Sequence, residues 1–180
     1  MKKFIFLLAV PILMISCKEK EDKDEHGEHD DEAKQTAVTL PYTASYSSSF
    51  KMGNPEYAKT ILQGSWKDWE NNNLDNMKSW IADTIVAYHS NNKMVQGADS
   101  LMANWKRARA KYSSSIDTID AVFSVYSTDK KENWVLVWAT AIDTKLDGTK
   151  DTVGVMETWR INKDGKADFL LQYDRANRKE

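Results

Sequence analysis

Thiols and chain breakers are scarce in this protein: its 180 residues include one cysteine, three prolines and seven glycines. The cysteine, Cys17, stands at the end of an N-terminal apolar stretch, so the remainder can form no internal disulfide, thiol nucleophile or zinc-thiolate centre. Neither sign of charge dominates, and a formal net charge of -2 lacks the basic excess of a nucleic-acid-binding surface. Lys106, Arg107, Arg109 and Lys111 do cluster, but apolar residues interleave with them at helical spacing, and the group reads as the solvated face of a helix. Also missing are a glycine-rich phosphate loop, a Gly-x-Ser-x-Gly elbow and a paired-histidine zinc motif, which argues against nucleotide chemistry and zinc hydrolysis. The expectation is no nucleic acid, no cofactor and no metal.

What is present is material for a core. Hydrophobic residues make up 41% of the chain, and seven Trp and seven Tyr bring large buried area. The N-terminus is set apart from this. Lys2 and Lys3 precede an apolar stretch over residues 4–15, shorter than the ~20 residues of a membrane-spanning helix and matching a signal peptide over residues 1–16. Met14-Ile15-Ser16-Cys17 resembles a bacterial lipobox, with Met where Leu is usual. Cys17 is then the lipidated first residue of the mature protein, placing it in the bacterial envelope. The outer membrane is the expected address, on its periplasmic or surface face.

Residues 17–36 carry Glu19, Glu21, Asp22, Asp24, Glu25, Glu28, Asp30, Asp31 and Glu32 and almost nothing apolar to bury, so they are expected to form a disordered acidic tether. His26 and His29 lie among these acids. A flexible tract of this kind binds metals weakly and without geometric selection. Residues 37–53, rich in Ser, Thr and Tyr, suggest an extended arm.

A domain follows over residues 54–176. Asn54-Pro55-Glu56 opens a first helix: Asn accepts from a free amide, Pro suits the first turn, and Glu complements the positive end. Ala58, Ile61, Leu62, Ser65 and Trp69 form its buried face, and Asn71-Asn72-Asn73 stops it. Leu74, Met77 and Ile81 suggest a shorter second helix, residues 84–89 a strand, and Leu101, Trp105, Ala108 and Tyr112 a third helix after Gly97. Four β-rich stretches end the chain, at 116–127, 134–144, 151–161 and 166–174. Short polar turns join them into a meander. Helices first and strands after imply an α+β fold.

Several local runs resemble the nuclear transport factor 2 superfamily, and its SnoaL-like branch in particular. They are Trp66-Lys67-Asp68-Trp69-Glu70 with Asn73-Leu74-Asp75, then Trp80-Ile81-Ala82-Asp83-Thr84-Ile85-Val86 running into Tyr88-His89. Val95-Gln96-Gly97-Ala98-Asp99-Ser100-Leu101 leads to Trp105, and Trp159-Arg160-Ile161-Asn162-Lys163-Asp164-Gly165-Lys166 leads to Tyr173. The resemblance implies a cone: a curved antiparallel sheet packed on about three helices, enclosing a pocket for a small molecule. It also implies that two copies can pair through the open sheet face.

Two residues stand out for chemistry. His89 ends the first strand, where the similar ketosteroid isomerases carry an aspartate base; the alternative is a histidine merely hydrogen-bonded at the rim. Glu157 shares strand parity with Val153, Val155, Trp159 and Ile161, so period-2 alternation puts it on the face expected to look inward. If the other face looks inward, Gly154, Met156, Thr158 and Arg160 line the pocket instead. Trp66, Trp80, Tyr88, Trp138 and Tyr173 are expected to supply an aromatic ligand-binding cup, against the alternative that they fill the core. Where the isomerases place an oxyanion-holding tyrosine, this chain has Ser65 and Trp66, so their reaction is not copied intact. The leading expectation is a tethered module that binds a small apolar or aromatic ligand. A lyase, isomerase or cyclase using His89 and Glu157, and an envelope interaction protein, are the alternatives.

Overall fold

The computed structural model describes residues 40–176. The leader, Cys17 and the acidic tether lie outside the described residues. Strand β1 (Phe50–Met52) leads into α1 (Pro55–Ile61), where the Asn54 side chain accepts from the Glu56 amide at 3.0 Å, as the Asn-Pro-Glu signal predicts. The helix then widens. Over Leu62–Lys67 the hydrogen bonds span five residues, ending with the Asp68 amide on the Gln63 carbonyl, before α2 (Asp68–Glu70) closes the segment. A π-helical turn of this kind inserts an extra residue and re-aims the side chains beyond it.

The second helix expected from Leu74 and Met77 is a 3-10 turn, Leu74–Ser79, and Ile81 already belongs to a strand. Next come β2 (Ile81–Tyr88), β3 (Met94–Gln96), α3 (Ala98–Arg109), β4 (Tyr112–Ser127), β5 (Glu132–Lys145), β6 (Lys150–Ile161) and β7 (Ala167–Ala176). The seven strands lie in the order β1-β4-β5-β6-β7-β2-β3, in a curved sheet that does not close. The meander from β4 to β7 is antiparallel, as its short turns require. One pairing is parallel: β7 returns beside β2, with Leu170 opposite Ala87. That connection runs through α3 and the whole meander, so no local turn signal announces it.

The α+β reading therefore holds, with a mixed rather than wholly antiparallel sheet. Two short strands, β1 on β4 and β3 on β2, complete its edges.

Helices and sheet meet over an apolar layer that includes Ile61, Met77, Ile85, Leu101, Val137, Trp159 and Leu170. Trp159 is 0% exposed and contacts two other indoles edge-on, Trp80 at 5.5 Å and Trp105 at 6.1 Å between ring centroids. Each such pair adds about 0.5–1.5 kcal/mol to the area it buries.

Arg109 departs from the expected solvated face. Lys106, Arg107 and Lys111 are exposed, whereas Arg109 is buried and donates to the carbonyls of Trp69 at 2.8 Å, Glu70 at 3.1 Å and Tyr112 at 2.9 Å. Two of these carbonyls end α2, where the helix dipole favours a cation and no further turn supplies donors. The guanidinium thus joins α2, α3 and β4.

Gly64 is the tightest point of the helical layer. A Cβ there falls 2.2 Å from Nε1 of Trp80, a ring that is itself buried. Neither the rigid indole nor the helix backbone has room to move. Gly64→Ala is expected to lower stability by about 1–3 kcal/mol through overpacking, read as a lower urea midpoint; an unchanged midpoint contradicts this packing.

Candidate functional site

The inward faces of β4 to β7 alternate with period 2, and this decides what the sheet presents to the helices. On β6, Val153, Val155 and Glu157 line a cavity of about 370 Å³, while Trp159 continues the same face into the core. Arg160 is on the other face, paired with Asp168 at 2.8 Å and Glu132 at 3.5 Å. The reading with Glu157 inward is thus the observed one. Neighbouring strands add Asp117 from β4, Asp143 from β5, and Gln172 and Asp174 from β7. Opposite them stand Trp66 and Trp69 from the widened first helix and Asn104, Trp105 and Ala108 from α3, with His89 just past the end of β2.

His89 and Glu157 meet through one intermediary. The Gln172 side chain is bonded to His89 Nδ1 at 3.1 Å through its Oε1, and its Nε2 donates to Glu157 Oε1 at 3.5 Å. The other carboxylate oxygen accepts from Trp159 Nε1 at 2.9 Å. At the far side of the imidazole, Asn104 Nδ2 lies 3.4 Å from His89 Nε2, and Asn104 Oδ1 accepts from Lys93 at 3.3 Å. With both amides in these orientations, His89 donates through Nδ1 and accepts at Nε2. The tautomer is set by its neighbours.

A second chain of bonds runs along another wall: Trp69 Nε1 donates to Ser115 Oγ at 3.1 Å, and Ser115 donates to Asp143 at 2.6 Å. Asp174 accepts from Ser90 at 2.5 Å. Asp117 is less well served, since its Oδ2 is buried without a partner.

Two of these carboxyls bind protons unusually well. Burial pushes Glu157 up to about 7, with the charges of Asp174 and Asp117 adding to the effect and the Trp159 N–H opposing it. Trp66 also favours the charged form from nearby, although its N–H makes no full hydrogen bond. Asp117 is likewise raised to about 7, first by burial and then by Glu70 and Asp143, against the pull of Arg109 and Lys67. The common cause is carboxyl groups crowded into a partly dry space.

The expected aromatic cup is not assembled. Trp66 lines the cavity, but Trp80 is core, packed on Trp159. Tyr88, Trp138 and Tyr173 are 39%, 45% and 57% exposed and point away from it. Strand parity is the reason: Ala87, Val137 and Gln172 take the inward positions, so their sequence neighbours face out. On that outer side Trp138 packs on Phe123, and its partners in register are Met156 and, beyond it, Tyr173.

Asp117, Asp143, Gln172, Asp174 and Asn104 were not singled out from sequence. Asp174 and Gln172 share parity with Leu170, which could have flagged them, but the doublet Leu170-Leu171 leaves the inward face open. Among the described residues, no group of three or more His, Cys, Asp or Glu side chains is arranged to hold a metal ion.

No protein-family model matches the sequence, and no curated protein matches it either. Solved structures do match in fold. An LEH-like epoxide hydrolase of M. tuberculosis aligns with TM-score 0.55 at 12% identity, over 67% of this chain and 84% of that one. An NTF2-like protein of unknown function from Exiguobacterium sp. 255-15 aligns with TM-score 0.53 at 15% identity, over 67% and 100%. A Mycobacterium tuberculosis protein in complex with estradiol-17beta-hemisuccinate gives TM-score 0.53 at 15% identity, over 65% and 92%. The domain thus has the nuclear transport factor 2-like α+β fold.

The raised carboxyls make a signed prediction. Folded Glu157 keeps its proton up to about 7 against an ordinary 4.5, so between these values the folded state holds more protons than the unfolded one. Its contribution to stability is complete below 4.5 and is lost as pH rises to about 7. Glu157→Gln, which cannot ionise, is expected to flatten the fall in stability between about pH 5 and about pH 8 by roughly 1–3 kcal/mol. Urea titrations at several pH values measure it, and parallel curves for the two proteins refute the assignment.

Proposed function

We propose that this protein is a lipid-anchored holder of a small molecule in the bacterial envelope, with the cavity between the helices and the sheet as its binding site. One observation carries the reading: the cavity of about 370 Å³ has indole rings on one wall and converging polar groups on the other. Ligand sites generally occupy about 300–1,000 Å³ and combine apolar walls with a few placed polar groups. The apolar or aromatic body of a ligand fits against Trp66, Trp69 and Trp105, and its polar head reaches Glu157, His89 and Gln172. The envelope address rests on the leader, Cys17 and the acidic tether, which keeps a domain clear of the headgroups.

The bonded series from His89 through Gln172 to Glu157 favours a second reading, acid-base catalysis of the lyase, isomerase or cyclase type. A carboxyl near neutrality and a histidine of set tautomer can give and take a proton on one substrate. Native mass spectrometry of the purified protein addresses both readings. A bound mass recovered unchanged after incubation in heavy water supports the holder, and solvent deuterium in its C–H bonds supports catalysis.

Ala108 lines the cavity from α3, so Ala108→Phe fills it without removing a polar group. Loss of the bound mass with an unchanged circular dichroism spectrum is the expected result; full retention places the ligand elsewhere. For the anchor, Cys17→Ala is expected to move the protein from the detergent phase to the aqueous phase on Triton X-114 partitioning. A variant that still follows the detergent was not held by that lipid.

A further inference from the structure

We propose that the molecule this cavity selects is an organic cation, a small ammonium compound that also carries an acceptor oxygen. The inference rests on the small-molecule reading above and names the ligand's chemical class. Asp117, Asp143, Glu157 and Asp174 all line the cavity, and none of its described lining residues is Lys or Arg. His89 is the one basic side chain there, and both its ring nitrogens are engaged, by Gln172 and Asn104.

The cations that act on these acids from outside are otherwise employed. Arg109 spends its guanidinium on three backbone carbonyls, and Lys67 is paired with Glu70 at 2.5 Å. The cavity acids therefore have no cation among the lining residues, and Arg109 and Lys67 act on Asp117 only from outside. An anionic ligand meets like charge here, and a neutral one leaves the deficit in place. An ammonium head at the acids supplies what is missing, while the ligand's aromatic or apolar body lies along Trp66, Trp69 and Trp105.

Two unpartnered atoms refine the class. Asp117 Oδ2 is buried with no donor, the complement of an N–H of the ligand. Trp66, 8% exposed, lines the same cavity with its indole N–H turned toward Glu157 but short of a full hydrogen bond, so a ligand acceptor oxygen beside that carboxyl completes it. An amine with a neighbouring hydroxyl satisfies both.

Proton linkage follows from the same arrangement. Glu157 is faced by Asp174, Asp117 and Trp66, with His89 one amide away; Asp117 is faced by Glu70 and Asp143, with Arg109 and Lys67 pulling the other way. The empty cavity relieves its crowding by holding protons near neutrality. A bound cation removes the reason to hold them, so binding releases protons and weakens as pH falls.

Three probes of one shape test this on the full mature protein: phenylethanolamine as cation, phenylethylene glycol as its neutral counterpart, and mandelate as anion. Calorimetry is expected to give the amine at least about tenfold tighter binding than the glycol, and mandelate the weakest. Amine binding should release protons, seen as different heats in Tris and in phosphate, and its affinity should fall between about pH 8 and about pH 5 while the glycol's stays level. Asp117→Asn combined with Asp174→Asn should narrow the amine's advantage over the glycol severalfold; an undiminished ratio overturns the role of these acids. The pH series on the unaltered protein decides the matter if that variant does not fold. Glycol or mandelate binding as tightly as the amine overturns the cation assignment and leaves the cavity as a binding site; no binding of any probe overturns both.

Discussion

The hydrogen bond from the Trp159 indole to the Glu157 carboxylate, 2.9 Å long, ties the core of this domain to its cavity. The ring at one end is fully buried among other indoles, and the carboxyl at the other meets the cavity. A buried carboxyl without a partner costs several kcal/mol. Trp159 reduces that cost from below and Gln172 from the side, so the group stays on the inward face. The rest of the site is arranged around it: Gln172 reaches His89, and His89 reaches Asn104 on α3.

A site built this way needs the helices held against the sheet, and one buried side chain contributes to that. Arg109 takes the terminal carbonyls of α2 and the first residue of β4 in one planar group. Its charge still reaches Asp117 from outside the cavity and lowers that group's proton affinity. Burial first, and then repulsion between neighbouring acids, raises the proton affinity of Glu157 and Asp117. Carboxyls crowded in this way cost the folded state stability as pH rises and they ionise.

Local signals were legible where the physics is local. The Asn54 cap, the helix after Gly97 and the β4 to β7 meander follow from capping, period and turn chemistry. The inward position of Glu157 followed from alternation with Val153 and Val155. The aromatic cup failed for the same reason: alternation assigns a face only when a strand's register and inward side are known, and single aromatics suit either side of a sheet. Trp138 and Tyr173 lie on the outer side, next in sequence to Val137 and Gln172, which lie on the inner.

By itself the sequence determined the α+β class and the ends of most elements, because each depends on neighbours within a few turns. Only the tertiary structure decided that β7 lies parallel to β2, that Arg109 is buried, and that Asp117, Asp143 and Asp174 share one cavity with Glu157. These acids come one from each of four successive strands. Their mutual repulsion, and the chemistry it permits, exists only once the sheet has brought them together.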